Sequence, residues 1–169
     1  MSETALARPV LAKYCTGMGV DLGFGGDPIV PTAITFDMES PYTNVGGSGQ
    51  ILKGDVRNLS MFCDNSLDFI FQSHLLEDFT WEELPSIVYG IRRILKPGGL
   101  FVNCMPVEQV YKKHCEATGQ PHNQAHQNHD FSLETFKVRV LDLTGPWDLV
   151  YECSLIDTYS FHIVVRKPL

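Results

Sequence analysis

Apolar positions along the chain gather into short runs of strand length, interrupted by one stretch with a clear helical period. Residues 17–22 (GMGVDL) and 33–37 (AITFD) read as short buried strands that each close on an acid, and residues 50–55 (QILKGD) repeat that plan. Residues 67–73 (LDFIFQS) are rich in apolar and aromatic side chains, follow a turn-like Asp-Asn-Ser, and predict a central strand. From 80 to 95, Leu84, Ile87, Val88, Ile91, Ile94 and Leu95 share one helical face. Thr80 with Glu83 gives a capping-box pattern, and Pro85 falls in the first turns, where proline is tolerated. The helix stops at Lys96-Pro97-Gly98-Gly99, and residues 100–105 resume as a strand. Beyond it the pattern predicts a helix over 107–117, a polar loop to Asp130, and a short helix over 133–140 capped by Ser132. Two strand-like runs, 147–156 and 159–167, are close enough to pair as an antiparallel hairpin.

Strands interleaved with crossovers and closed by a hairpin define an α/β fold with a mostly parallel sheet. At 169 residues, the chain is expected to form one domain, 1–169, around a single core. Open parallel sheets bind ligands beyond the carboxyl ends of their strands. Asp21, Asp37 and Asp55 each end an early strand, so three carboxylates are expected on one rim.

The first loop narrows the ligand. Gly23-Phe24-Gly25-Gly26-Asp27-Pro28 has proline where a dinucleotide fingerprint wants its third glycine, and no Gly-Lys-Ser/Thr follows to make a P-loop. Asp27 adds negative charge where a pyrophosphate would dock. Pro28 and Pro31 leave little room for a helix N-terminus that would hold phosphate. The rim therefore suits hydroxyls, amines and ammonium groups, as in a nucleoside without phosphates.

Composition agrees with this and excludes other classes. A formal net charge of −7 with no Lys/Arg run argues against nucleic-acid and anionic-membrane partners. No segment approaches the roughly 20 apolar residues of a membrane span, and the N-terminal residues lack the apolar run of a signal peptide. Five scattered cysteines without a C-x-x-C pair suit reduced thiols and a cytoplasmic location.

Over residues 14–167 the chain resembles the class I S-adenosylmethionine-dependent methyltransferases, type 11-like, in a trimmed form. Asp21-Leu22-Gly23-Phe24-Gly25-Gly26 is similar to that family's D-x-G-x-G-x loop, which wraps the methionine half of the cofactor. Asp37 matches its ribose-binding acid, with Met38 next to the adenine, and Gly54-Asp55-Val56 resembles the stretch at the adenine edge. Residues 64–79, the Leu95–Gly99 turn, residues 128–136 and the terminal hairpin also resemble the family. The resemblance implies a Rossmann-like, mostly parallel seven-stranded sheet with a C-terminal antiparallel hairpin and shortened first crossover helices. It implies S-adenosylmethionine held by Asp21, Gly23, Phe24, Gly25, Gly26, Asp37, Met38, Asp55, Val56 and Ser73, and methyl transfer to a small-molecule acceptor such as a sugar or other metabolite. A cofactor-binding module without catalysis, or a partner-dependent subunit, is the alternative.

The departures are specific. Asp27 stands where a small residue is usual, the Asp21-to-Asp37 spacing is tight, and loop 41–50 replaces most of the next helix. The region before Tyr14 is too short for the helices that often lid the substrate, which leaves the pocket open or covered by a protein partner or second copy. His74, after the fourth strand, is the candidate general base, expected to titrate near working pH; a pocket histidine that only shapes the site is the alternative. Glu77 and Asp78 either polarise a substrate or cap the next helix. His122, His126, His129 and Asp130 are of metal-ligand type, but Pro121 and the Asn/Gln content favour a loop. That loop is expected to cover substrate, with His129 or Asp130 reaching inward, and no metal is assigned.

Overall fold

The computed structural model describes residues 2–41, 45, 47, 49–156 and 158–169. Residues 42–44, 46 and 48 of the expected loop 41–50, and Asp157 of the hairpin turn, lie outside the described residues. Strands β1 (Gly19–Leu22), β2 (Ile34–Asp37), β3 (Leu52–Lys53), β4 (Leu67–Ser73), β5 (Leu95–Pro106), β6 (Asp148–Ile156) and β7 (Ser160–Arg166) form one sheet. Its order is β3-β2-β1-β4-β5-β7-β6. The first five strands are parallel, and β7 runs antiparallel between β5 and β6. The Rossmann-like fold with its terminal hairpin is as the sequence implies.

Alternation of side chains divides the core into two layers. Val20 and Leu22 of β1, Ile70 of β4, Phe101 and Met105 of β5 and Ile163 of β7 face one side. There they meet α2 (Leu84–Ile94) and α4 (Leu133–Phe136). Phe69, Phe71, Val102, Cys104 and Val164 face the other side, against Ala7 and Leu11 of α1 (Glu3–Leu11). α3 (Glu108–Thr118) follows β5 and ends on Gly119 in the left-handed region.

Helix α2 starts three residues later than the capping-box pattern predicts. Residues 81–83 form a turn, and Pro85 takes the first helical turn, where a missing N–H is harmless. Half of the box survives, since Glu83 Oε2 accepts from the Thr80 N–H at 3.0 Å. Leu84, Ile87, Val88, Ile91 and Ile94 are all buried, each contributing roughly 1.5–3 kcal/mol of apolar transfer against about 1 kcal/mol for a cap. The stripe, not the cap, secures this helix. Ser132 does cap α4, in a box closed by Thr135, and the chain continues as a π-turn, Lys137–Leu141.

Helix α1 was not foreseen from the sequence pattern, and it packs on the sheet face opposite α2. One expectation needs correction. The Lys96–Gly99 turn is absorbed into β5 as an irregular start, with a register shift opposite Leu67 and Phe69.

Candidate functional site

A cavity of about 630 Å³ opens at the carboxyl ends of β1 to β4, where the strand order reverses between β1 and β4. Its floor is the loop after β1. Gly23, Gly25 and Gly26 take φ values of 62°, 57° and 85°. At Gly23 a Cβ would also stand 2.9 Å from Leu75 Cδ1, a side-chain tip that can shift, so it is the positive φ that calls for glycine. Gly23 and Gly25 line the cavity together with Phe24; Gly26 is buried and does not.

Asp21 lies behind this loop, not on the cavity wall. Its Oδ2 accepts from the Ile29 N–H at 2.7 Å and so pins the chain after the loop. Oδ1 has no hydrogen-bond partner among the described residues. Burial pushes its carboxyl up to about 8, only partly opposed by the Ile29 hydrogen bond. Asp27 is likewise turned away from the cavity, contrary to the sequence reading. It accepts from Ser2 and pairs with Arg8 at 2.5 Å, while Arg8 also donates to the Pro28 and Ile29 carbonyls. The first loop is thus bolted to α1. The N-terminal residues Ser2, Glu3 and Thr4 reach the cavity, so the site is partly covered by its own chain.

The rim carries the acids expected of it. Asp37 lines the cavity, with Oδ1 accepting from the Met38 N–H at 2.8 Å and Oδ2 facing the Gly25 N–H at 3.4 Å. Met38 beside it is half-exposed, and Val56 adds a buried apolar side chain to the same wall. Gly54 lets the chain pass Phe36 closely, a Cβ there falling 2.8 Å from the ring. Asp55 reaches the cavity but is occupied: Arg57 binds both its oxygens, at 2.6 to 3.0 Å, and holds its carboxyl below the usual range. Arg57 also lies over the Phe79 ring and near Glu83. Asp55 thus meets the cavity as one half of an ion pair with Arg57. Glu3, Asp37, Asp55, Asp78 and Glu83 outnumber Arg57 on the described wall, which favours a cationic ligand and disfavours phosphate.

Ser73 and His74 close the inner end. His74 takes φ of 51°, a conformation rare for histidine, with its N–H bonded to the Cys104 carbonyl at 2.9 Å. The ring Nε2 lies 3.0 Å from Ser160 Oγ, and Nδ1 lies 3.4 Å from Glu77 Oε1. Burial, reinforced by His126 and His162, pushes its pKa down to about 3. The expected titration near working pH is therefore not found; His74 is a neutral imidazole there. Glu77 is not a surface cap but almost wholly buried, and burial raises its carboxyl well above the usual range.

The histidine-bearing stretch is a loop, as composition indicates, and Asn123, Ala125 and Gln127 from it wall the cavity. His122 and His126 meet on Glu108 of α3. His129 instead contacts Lys112, and Asp130 accepts from Trp81 and pairs with Arg139, so neither reaches inward. Sequence reasoning missed Arg57, Glu108 and α1. Ser2 before Glu3 is a helix-start signal, obscured by Pro9 inside so short a helix.

Residues 28–103, beginning just past the glycine loop and ending in β5, match a family described as a methyltransferase domain, type 11. A methyltransferase of Archaeoglobus fulgidus described as SAM-dependent superposes with a TM-score of 0.72 at 17% identity, covering 97% of this chain and 92% of that one. The PH0226 protein of Pyrococcus horikoshii gives 0.71 at 18%, covering 96% and 89%. A Haloferax volcanii chain in complex with the Trm112 methyltransferase activator gives 0.66 at 17%, covering 99% and 89%. No curated protein sequence matches. The sheet order and these superpositions define the class I methyltransferase fold. Within that fold, the match to the methyltransferase domain family, type 11, is carried by residues 28–103.

Proposed function

We propose that the cavity binds S-adenosylmethionine and that the domain transfers its methyl group to a small-molecule acceptor. One observation carries this reading: positive-φ glycine backbone, the Asp37 carboxylate and a net acidic wall surround a single cavity at the strand-order switch point. The residues fit such a cofactor. Gly23, Phe24 and Gly25 would cradle its amino-acid arm, Asp37 would accept from ribose hydroxyls, and Met38 and Val56 would flank the base. Asp21 and Gly26 would act from behind, by fixing the loop, and Ser73 would close the inner end. Asp55 would serve through its pair with Arg57. The bound cofactor supplies a methyl group on a sulfonium, an intrinsically good leaving group.

The chain's own task is then to orient the acceptor and exclude water. His74, neutral and held by its backbone and Ser160, would hydrogen-bond the acceptor; so low a proton affinity makes it a weak base and a good positioning group. The acidic wall and a cavity of this size support a small acceptor over a polymer. Incubation with methyl-labelled S-adenosylmethionine and a panel of sugars, amines and phenolic metabolites should label one class of small molecule. His74→Ala should lower turnover at least tenfold with cofactor affinity unchanged. Label appearing only in protein or nucleic acid, or equal turnover in the variant, would contradict these assignments.

A partner-dependent form of the same activity is favoured by a second observation. The short edge strand β3 is bordered by exposed Met38, Ile51 and Met61, and a structural neighbour is seen with an activator protein. A protein partner or second copy covering that edge would complete the site.

A further inference from the structure

Glu108, His122 and His126 are the one group of metal-ligand side chains among the described residues whose donor atoms converge, all lying within 4.8 Å of one another. Glu108 Oε1 is 2.7 Å from His122 Nε2, and Oε2 is 2.7 Å from His126 Nδ1. The two imidazoles stand nearly perpendicular, ring centres 5.5 Å apart, with Tyr111 packed against both. Glu108 is fully buried at the start of α3, and the His126 side chain is 4% exposed. A set of two imidazoles and one buried carboxylate is the donor set of borderline divalent ions, with open positions left for water.

The surroundings supply what such a site needs next. The other ring nitrogen of His126, Nε2, faces Glu77 Oε1 at 3.8 Å, and neither Glu77 oxygen has a hydrogen-bond partner among the described residues. A ligating histidine typically directs its second N–H at a carboxylate, which fixes ring orientation. Both histidines sit on the loop between Gly119 and Asp130, which lacks helix and strand yet supplies Asn123, Ala125 and Gln127 to the cavity wall.

We propose that Glu108, His122 and His126 bind one divalent transition-metal ion of the zinc type, with Glu77 orienting His126, and that the ion ties this loop to α3 behind the cavity wall. None of the three ligands lines the cavity, so the role is positional: the ion orders the wall that meets the acceptor. The inference is independent of which molecule is methylated, since metal binding is measured without cofactor or acceptor.

Chelator-treated protein titrated with Zn(II) by calorimetry should take up one ion per chain, and Co(II) should give the visible absorption of a low-symmetry nitrogen/oxygen site. His122 is partly exposed, so His122→Ala should fold, as circular dichroism would verify, and should lose at least tenfold in Zn(II) affinity. His129→Ala, on the same loop but paired with Lys112, should bind as the parent does. Stoichiometric uptake lost in His122→Ala and kept in His129→Ala supports the site. No stoichiometric uptake, or uptake indifferent to His122, overturns it and leaves a Glu–His–His hydrogen-bond cluster in its place.

Discussion

Asp21 occupies the third position of β1 with one oxygen bonded to the Ile29 N–H and the other without a partner among the described residues. Its carboxyl rises from 3.8 to about 8 because burial penalises the charge. For an acid whose folded pKa lies above its unfolded value, the stabilising contribution is full below the unfolded value and is lost as pH rises through the folded one. The difference in melting temperature between Asp21→Asn and the parent should therefore grow from about pH 4 to pH 8 and level off above. A difference that stays flat across that window would mean the charge is tolerated there. The acids at strand ends were legible because each follows an apolar run. Their individual roles were not, because a strand's alternation decides direction: Asp21 points to the α1 face while its neighbours Val20 and Leu22 point to the other.

At the scale of elements, α1 changes the account most. Ser2 caps it, Arg8 and Ser2 hold Asp27, and Tyr159 from the hairpin donates to Glu3 at 2.6 Å. The helix therefore couples the first loop to the far hairpin. The Arg8–Asp27 pair is partly exposed, so its loss should cost only about 1 kcal/mol or less. Arg8→Ala should accordingly keep nearly the parent melting temperature while amides of residues 3–11 and of the glycine loop exchange faster. Unchanged exchange in both segments would show that the apolar contacts of Ala7 and Leu11 suffice. The strands and α2 were legible from period alone. The start of α2 was misread because Thr80 and Glu83 make only half a box, and α1 was missed because Pro9 interrupts a helix of nine residues.

Across the whole molecule, a mostly parallel sheet closed by a hairpin was readable from the spacing of the apolar runs, whereas its seven-stranded Rossmann-like form was implied by the family resemblance. The composition of the cavity was not, because it draws on segments far apart in sequence: the N-terminal residues, the rims of β1 to β4 and the loop after α3. Arg57 was hidden for the same reason, its meaning fixed by Asp55, Glu83 and Phe79 together. No helix of the described residues is long and apolar enough to cross a membrane. The central claim, that an acid-rimmed cavity takes a cationic nucleoside and not a phosphate-bearing one, is tested most directly by calorimetry on the parent and on Asp37→Ala. The parent should bind S-adenosylmethionine one to one and show no heat with NAD, and the variant should lose at least tenfold in affinity at an unchanged melting temperature. Binding of NAD by the parent, or equal S-adenosylmethionine affinity in Asp37→Ala, would contradict the account.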